Sequence, residues 1–119
     1  MKRVRRQIYL TYAAAEEAAT LAHYCDKTLS AVLAEACTAA RATAYQEGPP
    51  ARGMGPRGYP VRLEAMPRRW RIVSYAIDSA AWRTLKTVAR ANGRTIGDVA
   101  SFCVGEAWAE WADSFVEVP

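Results

Sequence analysis

With 119 residues, 51% of them apolar, the chain can bury a modest core and is too apolar for wholesale disorder. Its 16 Lys and Arg against 12 Asp and Glu leave a net charge of +4, which favours a polyanionic partner over a cationic one. No run of about 18 apolar residues suggests a membrane span, and no signal-peptide core follows the N-terminal basic cluster. Three cysteines without paired spacing argue against a disulfide scaffold, so a soluble cytoplasmic protein is expected.

The basic residues Lys2, Arg3, Arg5 and Arg6 lead into Gln7-Ile8-Tyr9-Leu10-Thr11-Tyr12. Ile8, Leu10 and Tyr12 alternate with Gln7, Tyr9 and Thr11, a period of two that predicts a strand with one buried face. The other face offers an amide and a phenol, groups able to read a base edge, although the same residues are ordinary on a solvated strand. From Ala13 to Cys25 the spacing of Ala14, Ala18, Leu21, Ala22 and Cys25 predicts a helix. Asp26-Lys27-Thr28 interrupts it, and Thr28 is placed to cap a second helix from Leu29 to Tyr45 with the stripe Leu29, Val32, Leu33, Ala36, Cys37 and Ala40.

Residues 47–60 hold four Gly and four Pro, a density that excludes helix or central strand and marks 46–68 as a basic linker. Within it, Val61 to Ala65 reads as a short extended piece. Beyond Arg68 and Arg69 the pattern restarts, since Trp70-Arg71-Ile72-Val73-Ser74-Tyr75-Ala76-Ile77 is β-branched and aromatic and predicts a second strand. Asp78-Ser79 is expected to cap a helix carrying Ala81, Trp82, Leu85, Val88 and Ala89, which Asn92-Gly93 stops. Thr95 and Asp98 resemble a capping box at the start of a last helix, whose stripe is Ile96, Val99, Ala100, Cys103, Val104, Ala107, Trp108 and Trp111. Cys25, Cys37 and Cys103 lie on apolar stripes and are expected as buried free thiols. His23 has no neighbours to complete a ligand set, so neither metal nor cofactor is expected.

Sliding the chain along itself by 67 positions superposes the two patterns without a gap. Lys27-Thr28-Leu29 falls on Arg94-Thr95-Ile96, Ile8 on Tyr75, Leu10 on Ile77, Ala18 on Leu85, Val32 on Val99 and Cys37 on Val104. The chain is therefore a duplication, with one strand-helix-helix unit in 1–45, a linker in 46–68 and a second unit in 69–119. One such unit leaves both strand edges open and its apolar face uncovered, so two copies are expected to pair their strands antiparallel over a four-helix layer.

At this point the chain resembles the ribbon-helix-helix family, the class of Arc, MetJ and CopG. The likeness is carried by Lys27-Thr28-Leu29-Ser30-Ala31-Val32-Leu33-Ala34-Glu35-Ala36 and by Gly93-Arg94-Thr95-Ile96-Gly97-Asp98-Val99. Asp26 replaces the family's usual Gly, so the first inter-helix turn is expected to differ in shape. The resemblance implies a mainly helical fold with a two-stranded antiparallel ribbon, here a monomer by internal pseudo-dimer, laid in the major groove of double-stranded DNA.

By position, Gln7 and Tyr9 become base readers, with Arg5 and Thr11 at the margins and Ile72, Ser74 and Ala76 on the second strand. A register slip of one residue would instead turn Arg71, Val73 and Tyr75 outward. Lys27, Thr28, Ser30, Arg94, Thr95 and Gly97 become phosphate contacts at helix starts, joined by Lys2, Arg3, Arg6, Arg69 and Arg71. The unequal strands imply unequal half-sites.

Tandem fusions of this kind resemble TraY-like accessory proteins of plasmid DNA transfer, which implies a role beside a relaxase or other DNA-processing protein, with higher-order assembly on DNA. Single-copy relatives imply the alternative of a transcriptional repressor, and an antitoxin-type interaction protein is a third reading. With one His, no nucleophile elbow and no phosphate loop, the sequence does not point to an enzyme.

Overall fold

The computed structural model describes residues 3–45 and 70–114, and for 70–72 only the backbone. The expected linker at 46–68 with its extended piece 61–65, as well as Lys2 and Arg69, lies outside the described residues. The described elements run β1 (Arg3–Thr11), α1 (Tyr12–Tyr24), α2 (Leu29–Ala36), α3 (Ala39–Thr43), β2 (Trp70–Asp78), α4 (Ser79–Asn92) and α5 (Ile96–Asp113). Among the described residues the protein is mainly helical, with a single two-stranded antiparallel sheet. No described helix is long and apolar enough to cross a membrane.

Alternation sets the sheet. Ile8 and Leu10 of β1 are buried while Gln7 and Tyr9 are exposed, and on β2 Tyr75 and Ile77 are fully covered while Ser74 is exposed. This is the register in which Tyr75 faces the core, not the one slipped by a residue. The strands pair so that Gln7 faces Ser74, Arg5 faces Ala76 and Tyr9 faces Ile72. Gln7 thus lies opposite the residue 67 positions further along the chain.

A two-stranded ribbon leaves half of its amides on open edges, and two helix serines take them up. Ala76 N–H donates to Ser30 Oγ of α2 at 3.2 Å, and Thr11 N–H donates to Ser101 Oγ of α5 at 3.1 Å. Each of these helices packs mainly on the strand from the other half of the chain, α2 on β2 and α5 on β1, while α1 packs on α5 and α3 on α4. One core results, drawing Leu10, Leu33 and Val32 from the first half and Tyr75, Ile77, Leu85, Val99 and Val104 from the second. Burying each of the larger aliphatic side chains contributes about 1.5–3 kcal/mol. Eight alanines, including Ala14, Ala18, Ala36 and Ala100, share that core with Ile8, Leu21, Cys37 and Cys103, and their small side chains let the helices approach closely.

Several local expectations are corrected. Tyr12 does not continue the strand; it is the first residue of α1 and is 45% exposed, because Thr11 Oγ1 accepts the Ala14 N–H at 3.1 Å and starts the helix there. The helix expected from Leu29 to Tyr45 is broken at Cys37. There Thr38 Oγ1 accepts the Arg41 N–H and begins α3, and Arg41 Nη1 donates to the carbonyls of Glu35 and Ala36 at the end of α2, the latter also accepting the Thr38 N–H. Ala40, read as part of the buried stripe, is consequently exposed and Ala42 is buried instead; Leu29, the first residue of α2, is also exposed. Asp78 occupies the cap position of α4 but its side chain makes no capping bond.

The turn at Asp26 was expected to differ from the one at Gly93, and it does not. Asp26 has φ 55° and Gly93 φ 65°. Lys27 N–H reaches Ala22 O at 2.9 Å, as Arg94 N–H reaches Ala89 O at 2.8 Å. This six-residue closure needs one left-handed residue, and an aspartate accepts that conformation better than most side chains. The capping box of Thr95 and Asp98 is present with both of its bonds.

All three cysteines are free, Cys37 and Cys103 fully buried and Cys25 half-buried. The two buried thiols meet beneath β2 beside Tyr75. Their mutual contact and burial push Cys103 up, whereas the same contact draws Cys37 down. Burial pushes the Tyr75 phenol above its ordinary range, and the adjacent thiols add to the effect. The Tyr75 hydroxyl is buried without a hydrogen-bond partner of good geometry.

Candidate nucleic-acid interface

Because Ala76 and Thr11 direct their amides away from the partner strand, they belong to non-hydrogen-bonded pairs, and the alternation of the ladder extends this to Gln7 and Ser74. Side chains of such pairs stand closest together, with Cα atoms about 4.5 Å apart. The ribbon therefore presents one outward face on which Arg3, Arg5, Gln7 and Tyr9 from β1 stand opposite Asp78, Ala76, Ser74 and Ile72 from β2. The Tyr9 ring is 58% exposed, and Gln7, Arg5, Arg3 and Ser74 are also exposed. Asp78, at one end, is the only carboxylate at an outward position of the described strands.

The expected readers do not all remain available on this face. Arg5, Gln7, Tyr9 and Ser74 share it, Ala76 is half-buried, and the side chain of Ile72 lies outside the described residues, as does that of Arg71. Thr11 falls out of the set, since its hydroxyl caps α1 and it is half-buried. Arg6 lies on the helix-facing side by ladder parity. Its guanidinium sits 5.5 Å from the centre of the Trp82 ring, and Nη1 donates to Arg5 O.

The expected phosphate contacts flank the ribbon at two helix starts. At α2 the Thr28 hydroxyl accepts the Ala31 N–H, Ser30 is committed to the Ala76 amide, and Lys27 forms a 2.6 Å ion pair with Glu35 that raises its pKa. At α5 the Asp98 carboxylate takes both the Thr95 N–H and its hydroxyl, while Gly97 is buried and Arg94 half-buried. The two ends thus differ in charge, with an acid in the first turn of α5 and none in that of α2.

Sequence reasoning missed Ser30 as an edge partner and missed Ser101 and Trp82 entirely as supports of the ribbon. Neither serine has a serine at the position 67 residues away, so no pattern exposed their roles. A groove of about 320 Å³ elsewhere, with Leu21, Val32 and Trp111 among its walls, has a charged rim formed by the Lys27–Glu35 and Arg41–Glu110 ion pairs. Trp111 stacks there on Trp108 and Tyr24 at centroid distances of 5.2 and 5.9 Å. Among the described residues no three His, Cys, Asp or Glu side chains gather as metal ligands would. Comparison of the chain with protein-family models, with curated proteins and with solved structures gave no match.

Proposed function

We propose that the chain is a tandem ribbon-helix-helix protein, two repeats folded on each other as an internal pseudo-dimer, that binds double-stranded DNA with its ribbon in the major groove. The observation that carries this reading is the division of labour across the ribbon. One face is sealed into the core by Ile8, Leu10, Tyr75 and Ile77, and the other holds Arg5, Gln7, Tyr9 and Ser74 exposed in a contiguous row. A two-stranded ribbon fits the major groove, where a glutamine amide pairs bidentately with adenine and an arginine with guanine. The pairing of Gln7 with Ser74, 67 positions apart, supports a pseudo-twofold through the ribbon centre.

Backbone phosphates would be held beside Thr28 and Ser30 at one helix start and beside Thr95 and Gly97 at the other, with Lys27 and Arg94 adjacent and Arg3 and Arg6 on the flanks. Lys2, Arg69 and Arg71 would add to that charge. In this reading the chain is a non-enzymatic DNA-binding protein. The fusion of two copies favours an accessory role in plasmid or mobile-element DNA transfer, next to a relaxase, over autoregulation of a promoter.

Selection of bound sequences from random duplex DNA, followed by binding to the selected site and to a scrambled duplex, tests the reading. Gln7→Ala and Tyr9→Ala are expected to weaken the selected site by about 1–3 kcal/mol each and the scrambled duplex hardly at all. Equal losses on both duplexes would remove the reading role. A selected site lying beside a nick region supports the transfer role, and one lying only over a promoter replaces it with repression.

A further inference from the structure

The outward face is not symmetric about its centre, and one contact between the strands gives that asymmetry a direction. Arg5 stands opposite Ala76, yet its Nη1 donates to Ser74 Oγ at 3.2 Å, one pair closer to the middle of the ribbon. The diagonal reach is ordinary for a long side chain on an antiparallel pair. Its consequence is that the guanidinium is drawn in beside Gln7 instead of trailing toward the ribbon end. A guanidinium has five donors in a planar fork, so one bond to Ser74 leaves an edge with two parallel N–H groups free for O6 and N7 of a guanine.

No matching device exists on the other side of the centre. The residue 67 positions after Arg5 is Ile72 and the one after Tyr9 is Ala76, neither of which carries a hydrogen-bonding side chain. Arg5, beside the central Gln7–Ser74 pair, is therefore a guanidinium without a counterpart across the centre, where the Tyr9–Ile72 pair stands.

We infer, resting on the DNA-binding reading above, that Ser74 is a positioning residue that holds Arg5 over a guanine next to the centre of an unsymmetrical duplex site. The ribbon then sits on that site in one orientation only. Arg5 reads the guanine, Gln7 its neighbour, and Ser74 acts through Arg5.

The test uses the full chain and the duplex selected from random sequence, with each guanine replaced in turn by 7-deazaguanine, which lacks the N7 acceptor. At one near-central position the replacement is expected to weaken wild-type binding about 5- to 150-fold, as loss of a good bidentate contact does. Arg5→Ala, which removes the donors, should be nearly insensitive to the same replacement. Ser74→Ala should lose most of the discrimination while binding a scrambled duplex as wild type does, and Ser74→Thr, which keeps the hydroxyl, should restore it. A palindromic selected site, no sensitive guanine, or unchanged discrimination in Ser74→Ala overturns the inference and leaves the DNA-binding reading standing. Failure to bind any duplex overturns both.

Discussion

The two halves of the chain share a backbone plan and divide its duties differently. Both start a strand, a helix, a left-handed turn and a Thr-capped helix in the same order, and the bonds that close the two turns, Lys27 N–H to Ala22 O and Arg94 N–H to Ala89 O, agree to 0.1 Å. The first half carries the polar outward side chains on β1 and breaks its last helix at Cys37–Thr38. The second keeps α5 whole over 18 residues and contributes Tyr75 to the centre of the core. Burial and backbone closure constrain equivalent positions alike because the core sees both copies. Exposed positions are under no such constraint, so polar outward side chains can concentrate on one strand.

The core is the place to break this comparison hardest. Leu33 and Ala100 occupy equivalent positions, as do Ala18 and Leu85, and all four are fully buried, so each half supplies the large residue where the other supplies the small one. Leu33→Ala and Leu85→Ala are each expected to cost about 2–5 kcal/mol. Chemical denaturation should show one transition in both variants. Two separate transitions would mean that the halves fold as independent units.

A smaller effect is expected at Tyr75, whose counterpart is Ile8. Tyr75→Phe removes a buried hydroxyl without a partner and should stabilise the protein by about 1–2 kcal/mol. The same substitution sharpens the pH profile. With the folded-state pKa of Tyr75 raised above its unfolded value near 10, the unfolded chain ionises first, so the stability held below about pH 10 is lost as pH rises further. Tyr75→Phe should flatten that alkaline decline, and an unchanged decline would assign it to other groups.

The smallest expected effects lie in the paired turns and have opposite signs. Asp26→Gly should stabilise by about 0.5–1 kcal/mol because glycine adopts the left-handed conformation without a Cβ clash, and Gly93→Ala should destabilise by about 1–2 kcal/mol. Thermal melts of the two variants shifting in the same direction would show that the turns are not equivalent.

Much of this was legible in the residues because it depends on period and on local chemistry. Alternation in 7–10 and 73–77, helical spacing around Leu33 and Leu85 and the caps at Thr28 and Thr95 all report short-range rules. The outward positions of Gln7, Tyr9 and Ser74 follow from the same alternation. What failed was also local in appearance but tertiary in cause. Nothing in the stripe from Leu29 to Ala40 signalled that Arg41, which also meets Glu110 of α5 at 2.7 Å, would close α2 early. Tyr12 looked like a strand residue until the Thr11 cap that starts α1 there was seen.

The sequence by itself determined the elements, the turn positions and which face of each strand is apolar, because these follow from side-chain period and backbone preference. Only the tertiary structure decided that Gln7 meets Ser74, that serines of α2 and α5 seal the ribbon edges, and that Arg5 leans toward the ribbon centre. Those outcomes depend on which strand lies opposite which and at what register, and the pairing goes with a core that draws its side chains from both halves.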